Sequence, residues 1–511
     1  MLLAYWNILA TMKMYALTEY IYALAFLVTV VAQLSPSRQP GETIEWGACP
    51  EGPSLIVQCA DLSAPLDHGN PGGEQIALKV ARIKTNNSQS LGTLFFNPGG
   101  PGGSAVANVV LISELPSSSL YQVTRGYDLV GVDPRGAGYS TPMRCDPDLW
   151  NQRVRTAVTN EKEFKALVQH YAAVGESCAN MTGPLINHLD TVSVAKDHEV
   201  VRQILGADKF NFIGGSWGSQ IGYTYAEMYP ETVGRMAVEG IVDHSEAATT
   251  AVQTMSTGYE ATIHKFFDWC RTNASCALHG QDARAVLESV IAKAHENPIP
   301  APGCLQTGPG ACFADVSDEE LLTNAQVLAA APPKLAGWSA LAQGLLSASQ
   351  GDATIFSNPY FTTDTDVDLT TAWANLGTGC QDWAHPAKSY RDVLNLVRQT
   401  TALSPVTKGF SQSFQWFTMC IGWPTALTNP PRKIYSSIAK APEILMVSSY
   451  WDPETSIQWA VGAKAQIPNS RLIYRNGSGH ATYALNGDAA AAINRFILDG
   501  AMPDDGTVYD S

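Results

Sequence analysis

The chain is expected to be α/β in class, a mostly parallel central sheet with helices on both faces and a helical insertion in its C-terminal half. Three observations predict this. Short apolar segments alternate with helical ones as far as residue 243. From 244 to 435 that rhythm lapses into Ala/Leu-rich helical patterns and the Trp416/Trp423 region, with six of the ten Cys. From 436 it returns.

Taken in order, a Pro/Gly-rich lead (Ser35 to Pro53) precedes strands expected at Ser54–Leu62 and Ile76–Ile83, the second alternating as a half-buried strand should. Thr93–Asn97 is a strand running into the Gly/Pro-rich segment 98–104, and Tyr127–Val132 a buried strand ending at Asp133-Pro134-Arg135-Gly136. Asp190–Gly206 carries helical spacing at Val194, His198, Val201, Ile204 and Leu205 and closes on a glycine. Strand Phe210–Ile213, helix Trp217–Tyr229 (stopped by Pro230) and strand Arg235–Ile241 complete the first part. Strands Glu443–Ser448 and Arg471–Tyr474 and an amphipathic helix near Ala489–Leu498 form the second. The domain expectation is therefore 33–243 and 436–511 as two parts of one core, with 244–435 inserted as a helical cap.

With 511 residues and 45% hydrophobic composition the chain can bury a large core. Its formal charge of −15 and the lack of any Lys/Arg-rich run argue against nucleic acid as a partner. A peptide or small-molecule substrate is the expected partner.

Ile21–Ala32 is apolar except for Thr29. As a helix it rises about 18 Å, too short for a hydrocarbon core of about 30 Å. Residues 1–32 are read as a signal peptide and the protein as secreted, with stable membrane association only if that segment stays uncleaved. Ten cysteines in an exported chain should pair, and sequence order gives 49–59, 145–178, 270–276, 304–312 and 380–420 because short loops close most readily. Without a CxxC pair or an HExxH helix, no metal site and no cofactor are expected. Asn86, Asn180, Asn273 and Asn476 begin Asn-x-Ser/Thr sequons and are candidate glycosylation sites.

Gly214-Gly215-Ser216-Trp217-Gly218 places a serine on a tight turn between a strand and a helix, where small neighbours permit an unusual backbone. A hydroxyl needs a base to become a nucleophile, and His480, in the loop Asn476-Gly477-Ser478-Gly479-His480, follows a predicted strand. Asp452, 28 residues earlier in Ser449-Tyr450-Trp451-Asp452-Pro453, is the acid to orient it, with Asp243 as rival. The developing oxyanion needs donors: the amide of Trp217, and that of Gly100 (in preference to Gly99) in Asn97-Pro98-Gly99-Gly100-Pro101-Gly102. The same loop lacks the Lys-Ser/Thr of a phosphate cradle.

These residues, with Asp133-x-Arg135-Gly136-x-Gly138-x-Ser140, resemble the prolyl aminopeptidase/tripeptidyl aminopeptidase branch of the α/β-hydrolases, peptidase family S33. Asp190–Pro230 and Pro442–His480 resemble the tripeptidyl-aminopeptidase-like subgroup particularly. The resemblance implies an α/β-hydrolase fold, a secreted serine exopeptidase acting on free N-termini, and Ser216, Asp452 and His480 as its triad. Two departures stand out: Asn97-Pro98 where prolyl enzymes usually carry His-Gly, and Pro453-Glu454-Thr455 in place of an ending in Thr-Pro. An exopeptidase must also read an ammonium group; Glu239 and Asp243 at a strand end, and cap acids such as Asp382, are the candidates. The competing readings are a carboxylester or secondary-metabolite-tailoring hydrolase of the same fold, and a non-catalytic binding protein on that fold. An unperturbed His480 would make activity fall around pH 6 to 7.

Overall fold

The structure is a computed structural model that describes residues 44–50, 52, 56–304, 312–357, 369–480 and 482–510. The signal-peptide expectation for residues 1–32 lies outside them. Eleven strands occur among the described residues: β1 (Val57–Pro65), β2 (Gln75–Ile83), β3 (Thr93–Asn97), β4 (Asp128–Val132), β5 (Phe210–Gly215), β6 (Val233–Glu239), β7 (Ile299–Pro300), β8 (Asp315–Val316), β9 (Ile444–Trp451), β10 (Ser470–Ser478) and β11 (Val508–Asp510). Nine form one sheet in the order β1-β2-β4-β3-β5-β6-β9-β10-β11, while β7 and β8 pair separately. In the nine-stranded sheet β2 runs antiparallel to both its neighbours and every other pairing is parallel, while β7 and β8 pair antiparallel.

The period of two along each strand sorts its side chains onto two cores. Phe95, Phe212, Val238 and Met446 face one, which also takes in Val194, Ile221 and Trp459 from the helices Thr191–Ile204, Trp217–Met228 and Ile457–Lys464. Phe96, Ile213, Ala237 and Val447 face the other, against Val109 of helix Ala105–Ser113 and Ile493 and Phe496 of helix Asp488–Asp499. Burial on both faces is what a parallel sheet requires.

Between β6 and β9 the chain forms helices Ala248–Thr272, Ala283–Glu296, Asp318–Ala330, Gly337–Ser349, Leu369–Asp382, Tyr390–Leu403 and Gln412–Met419. Their apolar faces join the first core (Tyr259, Leu287, Leu321, Trp338, Phe414). The disulfides are Cys49–Cys59, Cys145–Cys178, Cys270–Cys276, Cys304–Cys312 and Cys380–Cys420. Among the described residues, no helix is long and apolar enough to cross a membrane.

Candidate active site

Ser216 sits in the turn from β5 into the helix Trp217–Met228 with φ 56° and ψ −126°, a backbone few side chains tolerate. The flanking glycines make this turn feasible. A Cβ on Gly214 would lie 2.4 Å from the carbonyl oxygen of Gly218, and one on Gly218 would lie 2.7 Å from that of Asn97. The turn is pinned by the Ser216 N–H, which donates to the Glu239 carbonyl at 2.9 Å.

The loop after β3 is pressed against this serine. Gly99 has φ 95°, and a Cβ there would lie 2.5 Å from Gly215 O and 2.7 Å from Ser216 Cβ. Its N–H donates to Asn97 Oδ1 at 2.9 Å, so that amide is already engaged. The Asp133 motif explains how this loop is held. Asp133 Oδ1 accepts from Ser104 Oγ and Val106 N, both at 2.9 Å, at the start of helix Ala105–Ser113, while Ser140 Oγ donates to the Asp133 carbonyl at 2.7 Å. Arg135 is fully buried, donates to Asp197 through Nε at 2.7 Å and Nη2 at 2.6 Å, and also serves the carbonyls of Pro65 and Leu66.

Asp452 follows β9 and His480 follows β10, parallel neighbours whose carboxyl ends lie side by side. His480 Nδ1 lies 2.9 Å from Asp452 Oδ2 and 3.0 Å from Oδ1. Asp452 in turn accepts from Glu454 N at 2.9 Å, Thr455 N at 2.8 Å and Thr455 Oγ1 at 2.9 Å. The histidine loop is anchored from beneath: Arg475 Nη2 donates to the carbonyls of Ser478 and Gly479, and Glu239 Oε2 accepts from Thr482 N at 2.7 Å and Tyr483 N at 2.8 Å.

Ser216 and His480 line one cavity together with Gly100, Glu239 and apolar side chains including Leu111 and Tyr483. A Cβ on Gly240 would lie 3.0 Å from His480 Cε1 and 3.3 Å from Ser216 N, so the imidazole and the serine turn face each other across this residue. Among the described residues no hydrogen bond joins Ser216 Oγ to His480; Nε2 lies instead 3.6 Å from Glu454 Oε2. Such bonds in free hydrolases are often long and tighten with substrate. Burial disfavours the His480 imidazolium, but the carboxylates of Asp452 and Glu454 outweigh it and push its pKa up to about 9. Burial raises that of Glu454.

Of the carboxylates considered for an ammonium group, Asp243 and Asp382 are engaged elsewhere, and Glu239 is engaged through one of its two oxygens. Glu239 reaches the cavity, but its Oε2 is committed to the two backbone amides that hold the histidine loop. Asp243 is not among the residues lining either cavity beside Ser216. Its Oδ1 accepts from Ser245 N at 2.9 Å and Gln466 Nε2 at 3.2 Å, behind the helix Ile457–Lys464. This also removes it as the rival acid, since His480 is on Asp452. Asp382 is buried and accepts from Thr191, Gln220 and Asn429. Burial, reinforced by Asp190, raises its pKa to about 7.

Sequence reasoning passed over Glu454 and Thr455 as ligating groups, although the run Asp452-Pro453-Glu454-Thr455 carries an acid and a hydroxyl just beyond the orienting aspartate. Of the sequons, Asn86, Asn180 and Asn476 are exposed and Asn273 is half-buried.

Residues 92–290 match the α/β-hydrolase fold family and residues 404–509 the TAP-like protein family. Three relatives are similar along most of their length. Serine protease Hip1 of Mycobacterium tuberculosis is 27% identical, with 96% of each chain covered. Tripeptidyl aminopeptidase of Streptomyces lividans is 27% identical over 92% of this chain and 87% of that one. Carboxylesterase B of Mycobacterium tuberculosis is 28% identical over 90% and 88%.

Proposed function

Since the chain belongs to the α/β hydrolases and its C-terminal part to their TAP-like branch, we propose that this serine hydrolase is an exported aminopeptidase, cleaving short peptides or residues from free peptide N-termini. The observation that carries the reading is the convergence of Ser216, the Asp452–His480 pair and the Gly99–Gly100 loop at one sheet edge.

His480, held in one tautomer by Asp452, takes the Ser216 proton as Oγ attacks the scissile carbonyl. The Gly100 and Trp217 amides stabilise the oxyanion. His480 then gives its proton to the leaving amine as the C–N bond breaks, leaving an ester on Ser216. Water, deprotonated by the same imidazole, attacks that ester and frees a carboxylate product and the serine. No metal or cofactor enters this sequence.

Export is supported by the five disulfides, which persist in oxidising compartments. Exposed Asn86, Asn180 and Asn476, and half-buried Asn273, are proposed glycan acceptors. The apolar character of the cavity beside Ser216 favours a second reading, a carboxylester hydrolase. Peptides with free and acetylated N-termini separate the two. A strong preference for free termini is expected; equal rates on both would remove the exopeptidase part, and turnover of p-nitrophenyl esters with no peptide cleavage would establish the esterase instead.

A further inference from the structure

One helix of the inserted segment, Asp318–Ala330, reaches both loops that carry the Asp452–His480 pair. Gln326, buried at 4% exposure, donates through Nε2 to the carbonyl of Pro453 at 2.7 Å, one residue beyond Asp452. One turn further along, at the helix end, the Ala330 carbonyl accepts from His480 N at 2.7 Å. A Cβ on Gly479 would lie 2.8 Å from that carbonyl oxygen and 2.6 Å from Pro332 Cδ, so the histidine loop and the helix end are in close contact. The last turn of a helix leaves carbonyls with no partner inside it, and these are met from outside. Here one of them is met by the backbone of the general base.

The Gln326 bond acts at a more specific point. A peptide unit is planar, and in its trans form the C=O and N–H point opposite ways. The Pro453 carbonyl and the Glu454 N–H are the two ends of one such unit. Gln326 holds the carbonyl, while the N–H donates to Asp452 Oδ1 at 2.9 Å. That oxygen lies 3.0 Å from His480 Nδ1. Fixing one end of a rigid plane fixes the other, so an amide from the inserted segment sets the direction of a donor to the orienting carboxylate. The helix that carries Gln326 is itself tied down. The Leu322 carbonyl accepts from Tyr259 Oη at 3.0 Å, Asn324 Nδ2 donates to the Phe356 carbonyl at 2.9 Å, and Glu319 Oε2 accepts from Thr156 N at 2.9 Å. A positioning group is only as precise as its own support.

We infer that Gln326 is a positioning residue for the Asp452–His480 pair, acting through the Pro453–Glu454 peptide, and that the Ala330 carbonyl supports His480 from the same helix. The inserted segment is then part of the catalytic frame as well as a wall of the cavity beside Ser216, which Val327, Ala330 and Ala331 line. This rests on the Ser216–His480–Asp452 chemistry proposed above and holds whether the acyl donor is a peptide or an ester.

The test uses the full chain, wild type and Gln326→Met, with a fluorophosphonate as the probe. The rate of labelling at Ser216 is followed from pH 5 to 9, and folding is read by melting temperature. Methionine keeps the length of the side chain and removes its amide. Labelling of the variant is expected to be about 5-fold slower, the worth of a neutral hydrogen bond of average strength. Its acid limb is expected at lower pH than in the wild type, because Asp452 and Glu454, the carboxylates that raise the pKa of His480, both sit on the loosened turn. A merely structural role would slow labelling without moving the limb, and that result overturns the positioning role, as does labelling at the parental rate. A wild type that takes no label at Ser216 overturns the serine chemistry itself, and this inference with it. Should Gln326→Met melt early, Gln326→Asn keeps the amide but withdraws it by one methylene. Slower labelling with a lowered limb then supports the role, and parental values refute it.

Discussion

Glu454 and Asp452 hold His480 from opposite sides, Asp452 Oδ2 at 2.9 Å from Nδ1 and Glu454 Oε2 at 3.6 Å from Nε2. The imidazole therefore sits between two carboxylates in a buried site, with Glu239 as a third acid acting on it from further off.

One consequence concerns pH. Burial works against the imidazolium, yet the surrounding carboxylates raise its pKa to about 9, above the ordinary 6.5. A base acts only when neutral, so raising the pKa moves the acid limb of kcat/KM to higher pH than the 6 to 7 expected of an unperturbed histidine. On a neutral ester, whose own charge is constant, the midpoint should lie above 7. Glu454→Gln removes one carboxylate and should move it downward. A limb at 6.5 in both proteins would show that Glu454 does not act on His480.

Thr455 Oγ1 donates to Asp452 Oδ2 at 2.9 Å and lies 3.2 Å from His480 Nδ1. Thr455→Val removes this tie while keeping the volume. The expected result is a fall in kcat of about 10-fold, the worth of a hydrogen bond at the upper end of the neutral range, with KM and melting temperature little changed. Unaltered kcat would show that the backbone amides of Glu454 and Thr455 suffice to orient Asp452.

Arg135 and Asp197 form a buried ion pair that ties the segment after β4 to the helix Thr191–Ile204. Arg135→Ala strands the Asp197 carboxylate and should cost about 3–5 kcal/mol. The midpoint of urea unfolding reports it; a variant as stable as the parent would mean that His68, 2.9 Å from Asp197 Oδ1, compensates alone.

How much of this was legible in the sequence depended on how local each signal was. The serine turn announced itself because its glycines are required by contacts within five residues and with the neighbouring strand. β3 and the central part of β5 were readable as short apolar runs, and the alternation of β2 was readable because one of its faces is less buried. Strand ends were not. β1 extends to Pro65, because a proline at an edge position forfeits no ladder hydrogen bond. β10 runs on through polar Arg475 and Asn476 to Ser478, which pairs with Trp451 beyond a bulge. β11, only the three residues Val508–Asp510, is too short to show a strand period and exists by pairing with β10. The pairing order of the cysteines was readable from loop length alone. Glu454 was hidden for a different reason. Its burial arises from packing of the β9 end against His480 and against indoles from three separate segments, and composition carries no trace of that. Asp243 misled for the converse reason: it follows the end of a central strand, but the chain turns it behind a helix, toward Gln466.

The assignment of the chemistry to the serine turn is read most directly by a fluorophosphonate probe followed by peptide mapping. The adduct should fall on Ser216 alone, vanish in Ser216→Ala with an unchanged melting temperature, and form far more slowly in His480→Ala. A protein that turns over substrate yet resists the probe, or one that carries the adduct on another residue, would contradict it.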